Sequence, residues 1–337
     1  MLWIEKYRPK RCEDILGQER VVRHLVESAD TGRVPHLLLA GPHGSGKSAA
    51  LECFARRLYG ERWEENTSIL SADALFTQGK AYLEGDERFA HVYRKDQSLI
   101  ANFKYVVRWY ASMRPLDADF KLIVFEGAEA LTFEAQQALR RTMERYSATC
   151  RFVFITTNQS AIIPAIASRC LPLFFGPIPP GITLSRLRSI LAAERPGAVA
   201  DEDIELIAQA AEGDLRKGIM YLQIAAESEE PPDLTALSVS ETAAVAGSVF
   251  AALCSGDLAA ARRMTESLMI DYGLSGREVL AELRRVVRRE YNDPALVRAI
   301  ARTDHALGHA ANEFVQINAL LAAVIGEVFC EEGTGAL

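Results

Sequence analysis

Up to Phe175, short apolar runs alternate with stretches of helical spacing; beyond it the spacing is helical throughout. Pro35-His36-Leu37-Leu38-Leu39-Ala40, Leu122-Ile123-Val124-Phe125 and Phe152-Val153-Phe154-Ile155 have the length and apolar character of buried strands. Val21–Val26, Ala49–Leu58, Ser98–Met113 and Gln136–Glu144 place apolar residues three and four apart, which predicts helices with one buried side. In the third of these that side is Leu99, Phe103, Val106, Val107 and Tyr110. In the fourth, Gln137, Arg140, Arg141 and Glu144 project, with Arg141 and Glu144 spaced for an i,i+3 ion pair. Phe174–Gly181 is rich in proline and glycine and reads as a hinge. Leu184–Ala193, Asp203–Ala211 and Leu215–Ala226 then predict three short helices, Glu227–Asp233 an acidic linker, and the chain from Ser238 onward a helical domain.

Composition narrows the class. A chain of 337 residues exceeds one typical core, so two or three domains are expected. With 49% hydrophobic and 25% charged residues, no apolar run near the ~20 residues of a membrane span and no signal-peptide pattern at Met1-Leu2-Trp3-Ile4-Glu5, a cytoplasmic protein without a membrane partner is expected. The six cysteines are scattered and form no C-x-x-C pair, which favours reduced core thiols over a zinc or redox site. A net charge of -7 confines any nucleic-acid contact to a local face.

The sharpest chemistry lies in Gly41-Pro42-His43-Gly44-Ser45-Gly46-Lys47-Ser48, which fits G-x-x-x-x-G-K-[ST] and stands between a predicted strand and a predicted helix. The glycines let backbone N–H groups turn toward a phosphate, and the helix N-terminus adds partial positive charge. Lys47 is placed to reach the β- and γ-phosphates of ATP and Ser48 to ligate Mg²⁺. Lys121–Glu126 is an apolar strand ending in an acid, with Glu126 the second Mg²⁺ candidate and Gly127 where a water-activating carboxylate would be needed.

Together with this loop, Glu5-Lys6-Tyr7-Arg8-Pro9 and Leu16-Gly17-Gln18-Glu19 resemble the opening of replication factor C small subunits, AAA+ clamp loaders of archaea and eukaryotes. The resemblance covers essentially the whole chain. It implies an α/β P-loop AAA+ ATPase domain with a parallel sheet at 1–176, a helical lid at 177–230 and an all-α oligomerising collar at 233–337. It puts Tyr7, Arg8, Pro9, Leu16 and Gly17 near the adenine, Asn158 in the sensor 1 place, Arg216 of Gly213-Asp214-Leu215-Arg216 in sensor 2, and Arg169 of Ser168-Arg169-Cys170 as an arginine finger toward a neighbouring subunit. Where the family carries Asp-Glu-Ala-Asp, this chain has Glu126-Gly127-Ala128-Glu129. Its own site is therefore expected to bind ATP but hydrolyse poorly, Glu129 to serve only after a loop rearrangement, and Gly127→Glu to raise hydrolysis if only the base is missing. Ala74–Asp96 is longer than the family usually has and reads as an insertion. Lys104 and Arg108, on a helix that faces DNA in the family, are the DNA candidates. The partners implied are large and small subunits of a hetero-pentamer, the sliding clamp PCNA and primer-template DNA, with action at the nucleoid. The alternatives are a free-standing AAA+ helicase or remodeller, which needs a working catalytic carboxylate, and a nucleotide-inert structural subunit, which does not need the intact loop.

Overall fold

The computed structural model describes residues 1–115, 117–228, 241–290, 293–308, 310 and 312–329. The chain divides into two compact units, Met1–Pro232 and Asp233–Leu337. Parts of the expected acidic linker, and residues 238–240 of the expected helical region, lie outside the described residues.

The first unit is built on five parallel strands, β1 (His36–Ala40), β2 (Thr67–Ser71), β3 (Lys121–Glu126), β4 (Cys150–Thr156) and β5 (Cys170–Phe174), in the order β2-β3-β4-β1-β5. Alternate residues feed opposite faces, as the period of two requires. Leu38, Ile123, Phe125, Phe152 and Phe154 enter one core, while Leu37, Leu39, Leu122, Val124, Val153 and Ile155 enter the other. Because both faces are covered, the three central strands read as continuous apolar runs.

α1 (Trp3–Lys6), α2 (Glu19–Thr31) and α3 (Lys47–Tyr59) come first, α3 starting at the lysine of the glycine loop. The expected insertion folds as α4 (Ala72–Gln78), α5 (Lys80–Gly85) and α6 (Glu87–Ala90). Its side chains reach the outer edge of β2, where Tyr82 Oη accepts from the Ser71 amide at 3.2 Å and Arg88 Nη1 donates to the Ile69 carbonyl at 3.3 Å. At the other edge Pro172 stands in the middle of β5. α7 (Leu99–Ser112) and α8 (Phe133–Arg145) start at Ser98 and Thr132, whose hydroxyls accept from Ala101 N and Ala135 N as N-caps. α9 (Pro164–Ala167) precedes β5. α10 (Pro180–Glu194), α11 (Asp201–Ala210) and α12 (Leu215–Glu227) then form a small bundle.

The second unit is helical among its described residues: α13 (Glu241–Cys254), α14 (Leu258–Ile270), α15 (Gly276–Glu290), α16 (Pro294–Leu307) and α17 (Glu313–Val324). Val249, Phe250, Leu253, Leu268, Leu283, Leu320 and Leu321 form its core. No described helix is long and apolar enough to cross a membrane.

Candidate functional site

The glycine loop joins the carboxyl end of β1 to α3 at the edge where parallel sheets hold ligands. Gly44 and Gly46 have φ of +64° and +94°, so backbone that L side chains rarely adopt lies inside the loop. Gly44 is also hemmed in, since a Cβ there would fall 1.7 Å from Asp214 Oδ1. Asp214 caps α12 by accepting from Lys217 N at 3.0 Å, so the bundle rests directly on the loop. Lys47 is buried, and its ammonium donates to the carbonyls of Gly41 at 2.7 Å and Pro42 at 2.6 Å. Burial lowers its pKa, opposed by the Glu129 carboxylate.

A cavity of about 470 Å³ opens over this loop. It is lined by Tyr7, Arg8, Pro9 and Leu16 on one side, by His43, Gly44, Ser45, Gly46, Lys47 and Ser48 at its base, and by Glu126, Thr157 and Arg216 around its rim. Tyr7 Oη donates to Glu194 at 2.6 Å, Arg8 pairs with Glu52, and the Arg186 guanidinium stands 5.6 Å from the Tyr7 ring centre. The N-terminal segment is thereby tied to both α10 and α3.

Some expected residues fall elsewhere. Gly41 and Pro42 lie beneath the cavity, where their carbonyls hold Lys47. Gly17, at φ +70°, shapes a turn against Pro179 and does not line the cavity. Asn158 is exposed and also stands outside the lining; its Oδ1 accepts from Ser160 N at 3.0 Å, and Thr157 takes the lining place. Glu129 lines the cavity with the loop as it stands. Its Oε1 accepts from the Thr157 hydroxyl at 2.6 Å and the Thr157 amide at 3.3 Å, while its buried Oε2 has no partner. Burial pushes its carboxyl up, but hydrogen bonds led by the Thr157 hydroxyl outweigh that and leave it below the usual range. Gly127 has φ +62°, and a Cβ there would meet Asp73 Cβ at 3.1 Å.

Two buried glutamines carry structure that periodicity does not reveal. Gln18 donates to Gly176 O at 2.8 Å and to Ser45 O at 3.3 Å, joining the loop to the hinge. Gln136 donates to Leu131 O at 3.0 Å and Ala161 O at 2.9 Å and accepts from Ile163 N at 2.8 Å. Only a polar residue inside an otherwise packed motif hints at either.

Arg169 lies away from the cavity. Its Nη2 meets Glu144 Oε1 at 2.6 Å and its Nη1 donates to Ala165 O at 2.7 Å. Glu144 also takes Arg140, at 3.4 Å, so its partners are Arg140 and Arg169, and the expected pair with Arg141 is not made. A second cleft, of about 520 Å³, runs between α7 and α8 and is lined by Lys104, Arg108, Arg140, Arg141 and Arg145 with Glu134, which binds Lys104 at 2.5 Å.

The described residues contain no group of three or more His, Cys, Asp or Glu able to hold a metal by themselves. Ser48 and Glu126 line one cavity beside the phosphate loop, a donor set that suits an oxygen-bound cation shared with phosphate oxygens.

Solved structures share this fold. The Aeropyrum pernix ORC1 protein in complex with DNA aligns with a TM-score of 0.52 at 17% identity, over 97% of this chain and 96% of that one. A Thermotoga maritima RuvB mutant aligns with 0.51 at 15%, over 87% and 91%. Sheet order, glycine loop and helical bundle define an α/β P-loop fold of the AAA+ class. Family models for DNA polymerase III, delta subunit, and for the replication factor C C-terminal domain match residues 17–179 and 246–323. The replication factor C small subunit of Methanocella arvoryzae is 37% identical over 95% of each chain, and that of Archaeoglobus fulgidus 34% over 95% of this chain and 96% of its own. The chain belongs to the replication factor C small subunit family, whose members are clamp-loader subunits of DNA replication.

Proposed function

We propose that this chain is an ATP- and Mg²⁺-binding small subunit of a hetero-pentameric clamp loader that loads the sliding clamp PCNA onto primer-template DNA. Its own site binds nucleotide and turns it over slowly, and its Arg169 serves a neighbour. The observation that carries this reading is a cavity lined by His43, Gly44, Ser45, Gly46, Lys47, Ser48 and Glu126, with Gly127 in place of a catalytic carboxylate. Ser48 and Glu126 would hold Mg²⁺, which supplies charge neutralisation at the phosphates. Lys47 must leave the carbonyls of Gly41 and Pro42 to reach a phosphate, a rotation within one flexible side chain. Arg216 closes on the cavity from the α12 side.

Poor hydrolysis follows from the remaining carboxylates. Glu129 has one oxygen engaged by Thr157 and the other shut off from solvent, so neither is free to orient an attacking water. Loss of general-base help costs about 10²–10⁴-fold. The test is nucleotide affinity and turnover of the isolated chain. Tight Mg²⁺-ATP binding lost in Lys47→Ala, with turnover near background, is expected. Rapid turnover abolished by the same substitution would fit a free-standing motor and overturn the reading. No binding at all would make the chain a nucleotide-inert scaffold.

A further inference from the structure

α8 grips the segment that carries Arg169 at both ends. Gln136 holds its start through Ala161 and Ile163, and Glu144, a little over two helical turns further along α8, holds its end through Arg169. The guanidinium is thus fixed by two acceptors, Glu144 Oε1 and Ala165 O. An arginine has five N–H donors, so donors remain for a ligand while the plane is already set.

We propose that Glu144 is the positioning residue of Arg169: it presets the guanidinium at the domain edge in the orientation used on a neighbouring subunit's nucleotide. This rests on the reading of Arg169 as a finger acting in trans. The Arg169 bond holds the Glu144 carboxyl below its usual range, as expected of a carboxylate that stays ionised beside its cation. Arg140 approaches the same oxygen at 3.4 Å against 2.6 Å for Arg169, so the shorter bond goes to the finger. An unheld arginine at an exposed edge samples many rotamers, and only a fraction of them meets the neighbour's phosphate. Misplacement on the scale of 1 Å can cost about 10²-fold in rate.

The experiment uses the assembled loader with the phosphate-loop lysine of every other site disabled, so that only the site facing Arg169 turns over. kcat and KM for ATP are measured for Arg169→Ala, Glu144→Ala, Glu144→Gln and the Arg169→Ala/Glu144→Ala pair, with thermal melting as the folding control. Arg169→Ala should lower kcat by about 10³-fold or more. Glu144→Ala should lower kcat by roughly tenfold with KM within about twofold, and Glu144→Gln, which keeps an acceptor without the charge, should fall between it and wild type. In the Arg169→Ala background, Glu144→Ala should cost nothing more. If Arg169→Ala is silent, the trans reading fails and takes this proposal with it. If Arg169→Ala is severe while Glu144→Ala and Glu144→Gln are silent or faster, only the positioning role falls. An equal loss from Glu144→Ala with and without Arg169 would also overturn it. Should Glu144→Ala fail to fold, Glu144→Gln carries the test alone.

Discussion

A side chain at residue 127 meets two obstacles. The backbone there is left-handed, which costs an L residue about 1–2 kcal/mol, and the new Cβ would press on Asp73 Cβ at 3.1 Å. Gly127→Glu is therefore expected to lower unfolding free energy by about 1–2 kcal/mol in urea titrations, and by itself to restore little hydrolysis. Adding Asp73→Gly should relieve the contact and let turnover rise; turnover fully restored by Gly127→Glu alone would show that the backbone yields. The glycine loop was legible residue by residue because its chemistry is written in eight consecutive positions. Asp73 beside Gly127 was not, since Asp73 lies in the first turn of α4 just after β2 and Gly127 follows β3, and the pairing of those two strands brings them together. The reach of Glu129 was hidden for a similar reason: a partner on β4's following loop, Thr157, holds it in place.

Among the elements, β1 and β4 share a pH-sensitive joint. His36 Nδ1 accepts the Phe152 amide at 3.0 Å, and burial, aided by the Arg151 charge, lowers the histidine pKa from 6.5 to about 4. A depressed histidine means that the unfolded chain takes up the proton first. The stability from this group is complete above pH 6.5 and is lost as pH falls toward 4, by about 3 kcal/mol in all. Urea unfolding at a series of pH values should show that loss, and His36→Gln should flatten it across the same window. If the variant keeps the wild-type slope, the loss belongs to other groups. Strands and long helices were visible in advance because burial imposes their periods. The folding of Ala74–Asp96 into three helices was not, since helices of four to seven residues span at most two turns.

At the scale of the whole molecule, a net charge of -7 coexists with a cleft that gathers Lys104, Arg108, Arg140, Arg141 and Arg145 from two helices. Glu134 already holds Lys104, so Arg108 should be the more productive phosphate contact. In the assembled loader, Arg108→Ala is expected to weaken primer-template binding regardless of sequence and to lower the salt slope by about one, with Lys104→Ala smaller. Titrations at several salt concentrations check this; unchanged slopes in both variants would make the cleft an ordinary charged face. The helical character of the chain beyond Phe175 followed the change of period there, whereas the break between the two units falls later, after Pro232, and the basic cleft needed the packing of α7 on α8 to appear.

Both borders of the sheet carry features that hinder strand pairing. Tyr82 and Arg88 occupy the outward backbone groups of Ser71 and Ile69 on β2, and Pro172 removes a donor from the middle of β5. An extended peptide would meet these side chains on β2 and a missing donor on β5, which disfavours strand addition, domain swapping through the sheet and fibril templating. A partner subunit would then be recognised by side chains and helix faces, which differ between related chains. Backbone, which is common to them all, could not tell one neighbour from another.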